Sequence, residues 1–412
     1  MTSRPELPPG PYLVVGLRRS GLAAARMLAA HGEVIGVDSG DIDAPDGFEA
    51  HVGVDGVELL ERVATVVKSP GVPWSAPVVA AAVERGVEVT GELELAWRLL
   101  DGHPFVAVTG TNGKTTTVEL LGAIWRAAGV PVEVAGNVGR PLADLATRSP
   151  FTRSSRMPIS SEAFTVICEA SSFQLEDASA FAPECAVLLN VEPDHLDRHG
   201  TLEEYTAAKM RIFAHDPPHV VMPQDLDQDP FELGEIRLRG EHNRQNVRAA
   251  ALAAEAMGVP RTAIVSALEQ FAGVPNRLEE VAEVGGVLFV NDSKATNPAS
   301  AVKGIESFPG GVHAILGGSL KGGGFEALRQ PVAERCVAAY LVGEAAPGLA
   351  ADLEGAAPLH CCETLDRAVP QAAAAAEPGD VVLLSPACAS FDAFADYEAR
   401  GRRFRELVAD LG

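Results

Sequence analysis

Residues 105–117, Phe-Val-Ala-Val-Thr-Gly-Thr-Asn-Gly-Lys-Thr-Thr-Thr, carry the densest chemistry in the chain. Gly110 and Gly113, around Thr111 and Asn112, let backbone N–H groups turn toward a phosphate at the start of a helix. Lys114 can reach terminal phosphates, and Thr115, with Thr116 beside it, offers a hydroxyl suited to Mg²⁺. The strict phosphate-loop pattern asks for glycine where Val108 stands, so this is a variant of it. A glycine turn with an incidental lysine is the weaker reading. An apolar run precedes the loop, and Val118, Leu121, Ile124, Trp125 and Ala128 follow at helical spacing.

Other polar groups recur directly after short apolar runs. Glu169 opens EASSFQLE (Glu169–Glu176), and NVEPDHLD (Asn190–Asp197) brings Asp194, His195 and Asp197. A carboxylate and an imidazole at neighbouring strand ends suit Mg²⁺. His195 by itself would read as a hydrogen-bonded structural histidine. Lys209, within the helical stretch Tyr205–Phe213, would by itself read as a surface lysine lying along the protein. The amides of His242–Asn246 could hold a nucleobase or merely cap a helix. Asn291–Asn297 (NDSKATN) and Gly317–Lys321 each set a lysine among small polar residues, a grip for carboxylate or phosphate, or a solvated loop. In Ser385–Asp392 (SPACASFD), Cys388 has no histidine nearby in sequence and reads as packing. Near the start, Val15–Gly21 follows an apolar run, and Asp38 closes the next one. Arg18 occupies the middle position of the dinucleotide pattern GxGxxG, which argues against NAD or FAD but leaves a nucleotide diphosphate at the helix start.

Chemistry at such positions needs strands to present it. Leu13–Val15, Phe105–Val108, Val166–Cys168, Val187–Leu189, Leu288–Val290, Ala314–Leu316 and Val381–Leu384 are continuous apolar runs, each followed by a helical pattern. That alternation predicts parallel sheets buried on both faces, with ligands at the carboxyl ends of their strands. The 412 residues divide into three blocks: 1–102, 103–275 and 276–412. The expected fold is α/β, with Rossmann-like first and third domains and a central P-loop-type ATPase domain. Ser149–Glu162 and Asp216–Pro230 read as exposed loops. A net charge of −23 would repel a phosphate backbone or an anionic membrane, which argues against nucleic acid as the main partner. Six cysteines without CxxC spacing argue against structural zinc or a disulfide framework, and fit the cytoplasm. No run is long enough for a membrane span, and the opening MTSRPELPPG lacks a signal peptide's apolar centre.

Taken in order, Gly110–Thr116, Glu169–Glu176, Asn190–Asp197, His242–Asn246, Asn291–Asn297 and Ser385–Ser390 resemble the Mur ligase family of bacterial cell-wall synthesis, over essentially the whole chain. The SSFQLE, NDSKATN and SPACAS segments resemble most the branch that joins D-glutamate to UDP-N-acetylmuramoyl-L-alanine. The resemblance implies an ATP-dependent amide ligase of peptidoglycan synthesis working through an acyl phosphate, as a monomer. Its three blocks would bind UDP-sugar, ATP and amino acid in turn. Ser20, Asp38 and Asn137, with Gly136 and Gly139 shaping the loop, would hold the UDP-sugar. Lys114 would grip the ATP phosphates, with Gly110–Thr116 around them. Asn246, Arg277 and Asp292 would contact the nucleotide. Thr115, Glu169, His195 and a carbamylated Lys209 would serve two Mg²⁺ ions. Thr296, Lys321, Ser390, Phe391 and Tyr397 would surround D-glutamate, and Lys294 and Lys321 suit its two carboxylates. Arg18, Asn276, a longer Ser149–Glu162 loop and a shortened Asp216–Glu241 segment depart from the family pattern. Another Mur-type or folylpolyglutamate-type ligase, a non-ligating nucleotide switch and a Rossmann oxidoreductase stand as alternatives.

Overall fold

The computed structural model describes residues 4–148, 163–227, 231, 238, 240–271, 273–320 and 324–411. The Ser149–Glu162 loop, Lys321 and part of the Asp216–Glu241 segment therefore lie outside the described residues. The chain forms two compact units, Met1–Gly234 with Gln245–Glu269, and Glu235–Arg244 with Gln270–Gly412.

The first unit contains two five-stranded sheets, parallel throughout. One is built from β1 (Tyr12–Val15), β2 (Val34–Asp38), β3 (Glu49–Val52), β4 (Thr65–Lys68) and β5 (Glu88–Gly91), in the order β3-β2-β1-β4-β5. The other holds β6 (Phe105–Thr109), β7 (Val132–Gly136), β8 (Thr165–Glu169), β9 (Cys185–Leu188) and β10 (His219–Val221), in the order β10-β9-β6-β8-β7. In both, chain order reverses direction beside the first strand, between β1 and β4 and between β6 and β8. Open parallel sheets form their ligand crevices at such reversals, because the flanking helices leave toward opposite faces. The apolar runs predicted as strands all lie in strands, although β9 starts two residues earlier than expected and leaves Leu189 outside.

A continuous apolar core joins these two sheets. Phe181 meets Trp97 edge-on at 5.8 Å between centroids and Phe105 at 6.2 Å, and Leu28, Ala143 and Ile212 belong to the same cluster. Buried Arg4 ties the start of the chain to this core, donating to the carbonyls of Trp97, Leu100 and His103 with its guanidinium over Trp97 and Phe105. The described part of Asp216–Pro230, residues 216–227, corrects the expectation of an exposed loop. It contains β10 and a 3₁₀ turn at Pro223–Asp227, because Val221 and Leu226 bury against the sheet edge while Pro and Asp serve the turns.

The second unit holds β11 (Glu279–Val284), β12 (Val287–Asn291), β13 (Val312–Gly317), β14 (Cys336–Val342), β15 (Leu359–Glu363) and β16 (Val381–Leu384), in the order β11-β12-β16-β13-β14-β15. Here the parallel expectation needs one correction: edge strand β11 runs antiparallel to β12. Gly285 and Gly286, at φ 61° and 82°, make the two-residue turn between them, with the positive φ at both positions that glycine adopts without strain. Side chains alternate across this sheet. Phe289, Ile315 and Tyr340 enter one apolar layer, and Val290, Leu316 and Leu341 the other. Because β12, β16 and β13 are neighbours, the loops following them meet at one sheet end. Those loops are the NDSKATN and SPACAS segments and Gly317–Leu320.

Candidate active site

The loop between β6 and the helix Lys114–Ala127 lies at the reversal point of the second sheet. Gly113 sits at φ 86°, and a Cβ there would stand 2.1 Å from Asn246 Oδ1, so backbone strain and sterics both require glycine. The loop is held from β9's side. Thr111 N donates to Asn190 O, Asn112 N to Asn190 Oδ1 at 2.9 Å, and Asn112 Nδ2 to Glu192 Oε2 at 2.9 Å. Thr111 Oγ1 donates to Glu192 O at 3.2 Å and shares a hydrogen bond with Tyr205 Oη, also at 3.2 Å. Such bracing presets the helix start for an anion, where first-turn N–H groups lack partners within the helix. Gly113→Ala is expected to cost roughly 1–3 kcal/mol in stability. It should also weaken ATP binding by about tenfold or more, read by calorimetric titration beside the melting temperature.

Lys114 folds back over this loop, donating from Nζ to the carbonyls of Gly110 at 2.7 Å and Thr111 at 2.9 Å. Lys209 reaches the same Gly110 carbonyl at 2.8 Å from another element, the helix Leu202–Met210. The surface reading of Lys209 is corrected here: the residue is 1 % exposed, its ammonium lying 4.4 Å from the Tyr205 ring centre. Burial, reinforced by the charge of Lys114, pushes its amine down to about 7. One helix face sees the interior at this position, which spacing in a stretch of low amphipathicity does not reveal.

Glu169 closes β8 and is buried. Thr115 Oγ1 donates to its Oε2 at 2.9 Å and Asn137 Nδ2 to its Oε1 at 3.0 Å. A hydroxyl and a carboxylate in contact form a hard-oxygen donor pair that fits Mg²⁺, which completes its shell with waters and phosphate oxygens. Among the described residues, no three His, Cys, Asp or Glu side chains converge as a ready-made metal cage. His195 stands in the left-handed region at φ 52° and is half-exposed. Its ring lies 4.9 Å from Phe173 and 6.3 Å from Tyr205, the residue that braces Thr111.

A cleft of about 800 Å³ opens at the reversal point of the first sheet. Ser20 and Asp38 line it from the first sheet, and Asn137, Gly139 and Gln174 from the second. Both Asp38 oxygens already accept backbone N–H groups, from Leu17 at 2.7 Å and Gly40 at 2.8 Å, so it shapes the glycine turn. Arg18 lies on the cleft wall beside Arg19. Fully buried Glu92 supports Gln174, one of the residues lining the cleft. It accepts from Ala143 N at 2.6 Å and from the side chain of Gln174, and burial raises its carboxyl to about 7.

In the second unit, Asp292 accepts from Ser385 Oγ at 2.8 Å and Leu278 N at 3.3 Å. Burial raises its carboxyl to about 7. A carboxyl titrating higher folded than unfolded loses stability as pH rises from about 4 to about 7. Asp292→Asn removes that dependence, so its melting temperature relative to the wild type should improve between pH 5 and pH 8. Buried Arg400 organises the three loops, donating to Ser293 Oγ and to the carbonyls of Ser293, Cys388 and Ala389 at 2.8–3.2 Å. Tyr397 O accepts from Ser293 Oγ, and Lys294 Nζ lies 5.3 Å from the Tyr397 ring centre. Ser390 is buried and Thr296 half-buried, whereas Phe391 is 71 % exposed. Arg277 and Asp292 interact electrostatically. Asn276 takes φ 63°, and its Oδ1 accepts from Asn291 Nδ2 at 3.0 Å.

Sequence reasoning did not single out Glu92, Tyr205, Arg198 or Arg400. Each acts on backbone groups or rings brought close only by folding. Arg400, in a charged terminal helix, gives no local sign that it turns inward.

Two doubly wound parallel sheets, a braced phosphate loop at the reversal point of the second and a third sheet presenting small polar loops define the class. Residues 108–232 match the Mur ligase middle domain and residues 276–388 the Mur ligase glutamate ligase domain. The chain belongs to the Mur ligase family. It is 42 % identical to the UDP-N-acetylmuramoylalanine–D-glutamate ligase of Acidobacterium capsulatum, across 98 % of this chain and 97 % of the relative. The corresponding enzyme of Solibacter usitatus is 40 % identical across 97 % of each. Among solved structures, UDP-N-acetylmuramate-alanine ligase MurC from Thermotoga maritima shares the fold with a TM-score of 0.60, at 16 % identity, across 98 % of this chain and 100 % of that one. MurF ligase from Thermotoga maritima in complex with ADP gives 0.58 at 18 % identity, across 98 % and 96 %.

Proposed function

We propose that this protein joins D-glutamate to UDP-N-acetylmuramoyl-L-alanine, converting ATP to ADP and phosphate. The observation that carries the reading is the position of Asn137, which faces the large cleft and donates to Glu169 beside Thr115. A sugar nucleotide lying in that cleft would extend its acyl end toward the phosphate loop. Relatives about 40 % identical over nearly their whole length bear the matching enzyme name. Blocks 1–102, 103–275 and 276–412 then serve sugar nucleotide, ATP and amino acid respectively.

The alanyl carboxylate is a poor electrophile, and phosphorylation supplies the leaving group. Its oxygen attacks the γ-phosphorus, the bond to the bridging oxygen breaks, and ADP departs. The amine of D-glutamate then attacks the acyl carbon and loses a proton, and phosphate leaves as the amide forms. Lys114 holds the phosphoryl oxygens as charge shifts onto ADP, and the braced loop fixes their direction. Glu169 and Thr115, with His195 nearby and Lys209 as its carbamate, hold Mg²⁺, which neutralises phosphate charge when bound. Asn246, Arg277 and Asp292 position the nucleotide. Ser20 and Asn137 hold the sugar nucleotide, whose contact with Asp38 is confined to the turn that Asp38 shapes. Thr296, Lys321, Ser390, Phe391 and Tyr397 receive D-glutamate. Among the described residues the six cysteines form no disulfide, which fits a cytoplasmic setting, and no helix is long and apolar enough to cross a membrane.

Phosphate release with ATP, Mg²⁺ and UDP-N-acetylmuramoyl-L-alanine tests the reading across D-Glu, L-Glu, L-Lys and no amino acid. Release that requires D-Glu and yields a glutamyl adduct is expected. Release with a different amino acid would reassign the substrate, and release indifferent to all of them would end the ligase reading.

A further inference from the structure

The cleft wall formed by Ser69–Val72 is tied to the His195 turn by a side chain that the mechanism above does not use. Arg198 follows His195 by three residues, in the short helix Leu196–His199. Its Nη2 donates to Val72 O at 2.9 Å and to Glu176 Oε1 at 2.7 Å, and its Nη1 donates to Gly71 O at 3.3 Å. Its guanidinium lies 4.6 Å from the centre of the Phe173 ring, which in turn contacts His195 at 4.9 Å. From below, fully buried Lys68 donates to the same Val72 carbonyl at 2.9 Å and pairs with Asp177 at 2.9 Å. Gly71 and Val72 line the cleft, as does Gln174 in the helix that carries Phe173.

One carbonyl of the cleft wall thus accepts from two cations. One belongs to the first sheet, and the other to the turn carrying His195. A planar guanidinium can hold two adjacent carbonyls, a carboxylate and an aromatic face together, which an ammonium cannot. We propose that Arg198 is a positioning residue that couples the sugar-nucleotide cleft to the phosphoryl-transfer centre, setting the Gly71–Val72 wall and the His195 ring in register. The inference rests on the reading that this cleft takes the sugar nucleotide. It predicts selectivity: losing Arg198 should impair use of the cleft ligand and the chemistry, and spare ATP, whose loop is braced separately through Asn190, Glu192 and Tyr205.

The test is steady-state kinetics of full-length Arg198→Met and Arg198→Lys, varying UDP-N-acetylmuramoyl-L-alanine and ATP separately. Arg198→Met should raise KM for the sugar nucleotide about tenfold and lower kcat about tenfold, with KM for ATP changed by less than about twofold. Arg198→Lys should recover part of the loss, since one ammonium replaces one carbonyl contact. Equal increases in both KM values, or an unchanged KM for the sugar nucleotide, would overturn the proposal. Should Arg198→Met fail to fold, Arg198→Lys must show the same split in weaker form, and its absence would overturn the proposal equally. Failure of the functional reading is seen separately, as a wild-type protein that forms no D-glutamyl product.

Discussion

Lys114→Ala is expected to lower kcat by about 10³-fold while leaving the melting temperature close to that of the wild type. The expected size is that of losing a positioned cation where charge develops in phosphoryl transfer. Two features make the lysine suited to that task. Its ammonium rests on the Gly110 and Thr111 carbonyls, 2.7 and 2.9 Å away, at the mouth of the loop that would hold the phosphates. The loop itself is fixed by Asn190, Glu192 and Tyr205, so removing the lysine should leave the cradle standing. Lys114→Arg should rescue poorly, because a bulky fork cannot take the place of a point charge in a tight loop. Single-turnover phosphate release from ATP with UDP-N-acetylmuramoyl-L-alanine measures the step directly. A rate within tenfold of the wild type would remove Lys114 from the phosphate site.

The second large effect belongs to Lys209. Lys209→Met is expected to lower kcat by about 100-fold, the size seen when a group supporting a metal site is lost. Carbamylation is the reason offered. The amine attacks CO₂, one C=O pair moves to oxygen, and a proton leaves the nitrogen, so the reaction needs a neutral amine. An exposed lysine near 10.4 is almost wholly protonated at pH 8. At about 7, Lys209 is mostly neutral there. Wild-type activity should therefore fall when CO₂ and bicarbonate are stripped and return when they are restored, with a matching change in intact mass. Lys209→Met should not respond. The sign of the stability effect follows from the same shift. The folded amine titrates below its unfolded value, so the unfolded chain binds the extra proton between about pH 7 and 10.5. Stability should rise with pH across that window in the wild type, and less steeply in Lys209→Met. Full activity of Lys209→Met, indifferent to bicarbonate, would refute the carbamate role.

Much of this arrangement was legible without coordinates, for reasons that differ by element. Buried parallel strands announce themselves as unbroken apolar runs, since both faces must be dry. Polar residues directly after such runs must lie at the sheet's carboxyl edge, which placed Gly110–Thr116, Glu169 and Asn291–Asn297 before any contact was known. Edge elements were less legible. The β11 strand has only half-buried and exposed residues with charges among them, and β10 is three residues long beside prolines. Neither carries the apolar signal of a central strand. Lys209 shows the same limit for a single side chain, because nothing local distinguishes an inward lysine from an outward one.

The sequence by itself determined the alternation of strands and helices, the glycine loop with its lysine and threonines, and the kinds of chemistry available at each strand end. Those follow from local rules: chain conformation, periodicity and the pairing of residue type with function. Only the tertiary structure decided which of these groups meet. Strand order in the sheet, not order in the chain, put Glu169 beside Thr115 and brought the loops after β12, β16 and β13 together. Packing decided that Lys114 and Lys209 share the Gly110 carbonyl, that Asn137 joins cleft to carboxylate, and that Arg198 spans from Val72 to Glu176. Burial is a property of the neighbours a residue acquires, and with it came the lowered basicity of Lys209 and the weakened acidity of Glu92 and Asp292.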